Sequence, residues 1–111
     1  TVAGSVVRYR RRIRPFEKFE MRSRGLFWDE KFLYVEQSIW KKNGECANHA
    51  VLRTAVTDKN GIVNPSKVVD ALRYDGPSPE APEWVKQWLK AEDMRPWPPM
   101  QDQQIPIVKA A

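Results

Sequence analysis

The chain has 111 residues, 41% hydrophobic and 30% charged, a balance that fits one folded domain and not a disordered segment. No apolar run approaches the roughly 18 residues that span a bilayer. A single cysteine and a single histidine exclude an internal disulfide framework and a Cys/His metal cluster, so no metal is expected.

The net charge is +5, and its distribution is uneven. Residues 1–24 hold eight Lys or Arg against two Glu, and the remainder is close to balanced. An anionic partner is therefore expected near the start of the chain: cofactor phosphates, nucleic acid or an acidic protein. No secretory pattern is visible, and a reducing, cytoplasmic compartment is the expectation.

Residues 5–14 alternate, with Val7, Tyr9 and Ile13 on one side and Arg8, Arg10, Arg12 and Arg14 on the other. Arg11 breaks the alternation, and Pro15 is expected to stop the strand because it lacks a ladder donor. Residues 17–27 place Phe19 and Met21 on one face and Glu20, Arg22 and Arg24 on the other. The two segments are expected to pair as an antiparallel ribbon with one apolar and one basic face. Gly25 suits a bulge or a sharp twist.

Residues 28–57 are expected to form a long hairpin at the centre of the sheet. Asn43-Gly44 lies between two strand-like runs and predicts a two-residue type I′ turn. Ala47, Ala50 and Ala55 mark places of close packing. Asp58-Lys59-Asn60-Gly61 is a further turn. Asn64 and Pro65 then suit the start of a short helix over 65–72. A linker, Gly76-Pro77-Ser78-Pro79, precedes a second helix over 82–91 with a Trp84, Val85, Trp88, Leu89 stripe. From Met94 onward the prolines predict an irregular tail. The expected division is a sheet portion, 1–74, followed by linker, helix and tail, 75–111.

The fold class expected is α+β: four long antiparallel strands, then short helices. An apolar sheet face needs a second layer, and these helices are too short and too late to cover it. The expectation is that another chain supplies the layer, or that a preceding segment does; the start at Thr1 without Met favours the second. The chain alone is expected to dimerise or to be poorly soluble.

Several stretches together carry a resemblance. They are Val7-Arg8-Tyr9-Arg10-Arg11, Arg14-Pro15-Phe16-Glu17-Lys18-Phe19-Glu20-Met21-Arg22-Ser23-Arg24, Trp28-Asp29-Glu30-Lys31 and the Phe32-to-Gln37 run. The combination resembles the thioesterase-like branch of the hotdog superfamily, the 4-hydroxybenzoyl-CoA thioesterase-like proteins, over roughly residues 5–70. The resemblance implies a curved antiparallel sheet around a central helix, usually paired with a second subunit into one continuous sheet. It implies an acyl-CoA thioesterase acting at a homodimer or higher homo-oligomer interface, with the coenzyme A thioester as substrate and no separate cofactor. The family's acidic catalytic residue sits on or near the central helix and maps to no position here. Asp29, Glu30 and Glu36 are not assigned that role, and the catalytic residue stays unknown.

Arg8, Arg10, Arg12, Arg22 and Arg24 are the candidates for coenzyme A phosphates, because a guanidinium fork pairs with two oxygens; the alternative is a solvated charged sheet face. Trp28, Tyr34 and Trp40 share parity and are candidates to line a substrate pocket, against plain core packing. His49 and Cys46 read as ordinary strand residues, since neither has an activating partner at a telling spacing. Trp84 and Trp88 are expected to dock the last helix, and Lys59-Asn60-Gly61 is explained by turn chemistry. The competing functions are a non-catalytic hotdog protein for acyl ligands or assembly, and a basic nucleic-acid-binding β-domain. The last ranks lowest, because parity puts Tyr9 and Phe19 opposite the arginines, whereas stacking platforms want both on one surface.

Overall fold

A computed structural model describes residues 1–72 and 76–101. The chain divides into two compact units, Thr1–Glu80 and Ala81–Ala111. The expected boundary at 74/75 and the last part of the expected tail, 102–111, fall outside the described residues.

The first unit is built on four antiparallel strands: β1 (Val2–Tyr9), β2 (Phe19–Trp28), β3 (Leu33–Lys41) and β4 (Cys46–Thr54), in the order β1-β4-β3-β2. The hairpin of β3 and β4 lies at the centre, as its apolar character on both faces predicts. The short strands β5 (Val56–Asp58) and β6 (Gly61–Val63) form a separate hairpin, and α1 (Pro65–Ala71) follows. The second unit contains α2 (Glu83–Met94). The class is α+β, with the helices after the four long strands.

The expected pairing of the first two strands does not occur. β1 pairs with β4 and β2 with β3, so the two basic strands form opposite edges of the sheet. Local alternation sets which face a side chain takes; it does not choose the partner strand. β1 also ends earlier than expected, at Tyr9. The amides of Arg10 and Arg11 both donate to Ala47 O, at 2.8 and 2.9 Å. Two residues facing one acceptor is a bulge, and it ends regular pairing before Pro15 is reached.

The central turn also differs in type. Gly44 N donates to Lys41 O at 3.0 Å, and Lys41 N donates to Glu45 O at 2.8 Å. Lys42 and Asn43 are therefore the central pair, and only Gly44 takes a positive φ, 92°. This is the three-residue loop in which Gly supplies the left-handed position, not a two-residue type I′ turn. The Asn43 side chain still shapes it, accepting from Glu45 N at 2.9 Å. Residues 29–32, expected inside the strand, form a turn because Asp29 Oδ1 accepts from the amides of Lys31 and Phe32 at 2.8 and 2.7 Å.

Register assigns the faces, since paired residues in an antiparallel sheet share one. On one face, a row runs Val6, Val51, Glu36, Arg24, and the next runs Arg8, His49, Ser38, Arg22. We call this the charged face. The other carries Val7, Leu52, Val35, Ile39 and Met21 and is the apolar face. A register shift between Gly25 and Phe27 sets Phe27 opposite Tyr34 and Trp28 opposite Leu33. The bulge expected from Gly25 is thus present. The fully buried large side chains of the first unit, Tyr34 and Val51, belong to the charged face. Ala47 and Ala55 are buried as expected, and Ala50 is half-buried.

The helix signals translate directly. Asn64 Oδ1 accepts from Ser66 N at 3.0 Å, and Pro65 opens α1. Pro82 stands at the N-cap of α2, Glu83 lies in its first turn, and Val85 is buried. The helix continues to Met94, three residues beyond the expected end, which leaves Lys90 short of the last turn. No helix among the described residues is long and apolar enough to cross a membrane.

Candidate functional site

The charged face brings together most of the polar chemistry of the sheet. Glu36, on β3, stands between β4 and β2. Its Oε2 is 3.0 Å from His49 Nε2, and its Oε1 accepts from Arg24 Nε at 2.5 Å. Strand pleat makes this possible: each of the three residues is on an alternate position of its own strand, and adjacent strands lie about 4.8 Å apart. Burial pushes the Glu36 carboxyl up, but the hydrogen bonds from His49 and Arg24 and the Arg24 charge outweigh it, and the acid is held below its ordinary value. A carboxylate with both oxygens bonded and its basicity reduced is poorly suited to abstract a proton at neutral pH. Glu36 therefore ties three strands and anchors a cation.

Beside it, Arg22 on β2 lies over the Trp40 ring, 4.5 Å from the centroid, and donates to Glu20 Oε1 at 2.9 Å. The hydrogen bond to Glu20 outweighs partial desolvation and raises the Arg22 pKa, while the same bond lowers that of Glu20. Trp40 Nε1 donates to Ser38 Oγ at 2.8 Å. Arg22, Ser23, Arg24, Glu36, Ser38 and Trp40 line a cleft of about 280 Å³. A second cleft, about 520 Å³, adjoins it at the hairpin end and is lined by Lys18, Phe19, Trp40 and Lys42 among others.

At the opposite end of the face, Phe27 stacks on Tyr34 with centroids 4.2 Å apart and an interplanar angle of 7°. Arg53 Nε donates to Tyr34 Oη at 3.1 Å and its guanidinium lies 4.7 Å from the Phe32 ring centroid. Burial raises the Tyr34 pKa, and Arg53 only partly opposes this. The tyrosine thus stays a neutral, bonded core group.

The structure separates the residues grouped from sequence. Of the five arginines, Arg8, Arg22 and Arg24 share the charged face, with Arg8 on the far edge from the other two. Arg10 and Arg12 lie beyond β1 on the connection to β2. Tyr34 and Trp40 share the charged face, but the shift at Gly25 turns Trp28 to the apolar one, so the three do not line a common surface. Tyr9 and Phe19 do lie on the face opposite Arg8, Arg22 and Arg24. Asp29 is occupied by its turn. Cys46 Sγ bonds Asn48 O at 3.2 Å. The Glu36–His49 contact was not foreseen. A carboxylate and a histidine thirteen positions apart across a hairpin meet only when register is known.

The Thioesterase-like superfamily model matches residues 1–89, which includes all four strands and α1. The chain belongs to the thioesterase-like branch of the hotdog superfamily. It is 37% identical to Protein THEM6 of Xenopus laevis over 93 residues, 83% of this chain and 44% of that protein. It is 31% identical to Protein THEM6 of Drosophila melanogaster over 92 residues, 82% and 46% of the two chains. Thioesterase poxG of Penicillium oxalicum is 43% identical over 58 residues, 52% of this chain and 19% of that enzyme. The chain thus spans less than half the length of these relatives. No solved structure gives a significant match.

Proposed function

We propose that the whole protein hydrolyses an acyl thioester of coenzyme A, with a fatty or aromatic acyl group, at an interface between two copies. The superfamily match over residues 1–89 carries this reading. The division of the sheet supports it. The apolar face offers Leu33, Val35, Ile39 and Leu52, with Trp28 beside Leu33, a surface on which an acyl chain is well solvated. Arg22 and Arg24, beside a cleft on the charged face, suit phosphate oxygens through their planar forks.

The roles within this sheet are binding roles. Thioester hydrolysis needs a base for the attacking water and donors aimed at the developing oxyanion. Glu36 is bonded on both oxygens, so in this reading it orients Arg24 and does not deliver the base. Tyr34 fixes Arg53 and the strand ends and does not meet substrate, because it is buried.

The test is thiol release from short-chain, long-chain and aromatic acyl-CoAs by the full-length protein. Release above the blank, with a preference among acyl groups, is the expected result. No release with any of them overturns the reading.

A further inference from the structure

The hairpin end of the sheet holds a feature that thioester hydrolysis does not require. The connection 10–18 carries Arg10, Arg11, Arg12, Arg14 and Lys18 against Glu17 alone. It lies against the tip of the β3–β4 hairpin: Arg11 Nε donates to Glu45 Oε2 at 2.8 Å, and Lys41 Nζ reaches Glu17 Oε2 at 3.2 Å and Arg12 O at 3.4 Å. The tip adds Lys41 and Lys42 against Glu45. Seven cations and two carboxylates at this end account for the whole net charge of +5. The two carboxylates pair with Arg11 and Lys41, and Arg10, Arg12, Arg14, Lys18 and Lys42 have no ion pair among the described residues.

Among these cations a turn presents one aromatic ring to solvent. Glu17 N donates to Arg14 O at 3.1 Å, and Glu17 Oε1 accepts from Arg14 N at 3.1 Å. Pro15 and Phe16 are the central residues, and Phe16 has φ 63°. Proline followed by a positive φ is the pattern of a type II turn, whose third position favours Gly or Asn. A bulky side chain there is a backbone outlier. The ring gains no packing in exchange, since Phe16 is fully exposed, at 105%. Turn chemistry and burial both argue against Phe at this position, and no packing among the described residues accounts for the ring.

We propose that this end of the sheet docks on an anionic bilayer surface, with Phe16 inserted at the headgroup boundary and the surrounding arginines and lysines on the lipid phosphates. An interfacial site needs a small apolar wedge flanked by cations with long stems, and the patch has both. Anionic lipid supplies the complementary charge. A single-stranded nucleic acid fits less well. It stacks on rings lying flat on a basic surface, whereas Phe16 projects from a turn, and Tyr9 and Phe19 lie on the apolar face.

Vesicle flotation of the purified protein tests this, with phosphatidylcholine alone and with roughly a third phosphatidylserine. Binding is expected to the anionic vesicles only, and to weaken as salt is raised. Phe16→Gly suits the turn and should keep the fold, yet it should lower partitioning about tenfold. Phe16→Trp should retain binding. Arg14→Glu with Lys18→Glu should lower it at least tenfold. The proposal is overturned if Phe16→Gly floats like the parent protein. It is also overturned if anionic vesicles do not bind at low salt, or if labelled RNA binds in a Phe16-dependent way while vesicles do not. None of these readouts involves thioester hydrolysis, so the two proposals stand or fall separately.

Discussion

The two faces of the sheet reverse the usual relation between polarity and burial. The charged face carries Glu36, His49, Arg22 and Arg24, yet it also holds the buried Tyr34, Val51 and Phe27. The apolar face leaves Val7, Tyr9, Phe19 and Met21 between 41% and 79% exposed. Hydrophobic composition thus does not locate the stabilising core of this chain. Burial and completed hydrogen bonds do, because apolar surface stabilises only when it leaves water.

The largest expected effect tests that claim at the core of the charged face. Tyr34→Ala removes the stack with Phe27 and the acceptor for Arg53 Nε. A loss of about 3–5 kcal/mol is expected in urea unfolding, and a loss under 1 kcal/mol would show that the ring is not part of the core. Val51→Ala, at a fully buried site beside Glu36 on the same face, should cost about 1–3 kcal/mol. A smaller loss would mean that the cavity collapses without cost.

How far the sequence foretold these faces depends on whether the information was local. Asn64-Pro65 specified its helix start because cap and bond lie within two residues. Alternation assigned Tyr9 and Phe19 to the side away from Arg8, Arg22 and Arg24, and the structure agrees. Partner choice was not legible, since β1 meets β4 from far along the chain, Tyr9 opposite Asn48 and Val2 opposite Thr54, and nothing in either strand names the other. Trp28 was misplaced for a subtler reason. Parity counts only within one unbroken strand, and the turn at 29–32 ends β2 at Trp28 and pairs it with Leu33, on the face opposite Tyr34 and Trp40. The early end of β1 did leave a trace: Arg11 already violated the alternation that Arg8 and Arg10 kept. Within the site, the arginines were legible as charge but not as neighbours, because Arg24 finds Glu36 only through the β2–β3 register.

A third change probes the polar part of the charged face through pH. The folded-state pKa of Glu36 lies below its unfolded value, near 4.3. Its contribution is therefore fully present above that value and is lost as pH falls through the folded pKa. Glu36→Gln should cost about 1–2 kcal/mol at neutral pH. The gap between variant and parent should close in acid. A gap that is unchanged across this range would show that the lost term is packing and not charge.

The smallest effect belongs to the apolar face, and it decides whether the contrast between the faces is real. Met21 pairs with Ile39 on edge strand β2 and is 57% exposed. If exposure governs, Met21→Ser in this chain should change unfolding free energy by no more than about 0.5 kcal/mol, despite removing a large apolar side chain. Val51→Ala removes less apolar material and should cost several times more. Equal costs would mean that the apolar face is covered in solution, by self-association if the Met21 penalty grows with protein concentration. Measuring both variants at two concentrations therefore separates an open face from a shared one. It also ties the stability of this sheet to the interface invoked for thioester hydrolysis, since a face that is wet in the isolated chain has its apolar surface available to a second copy or to an acyl chain.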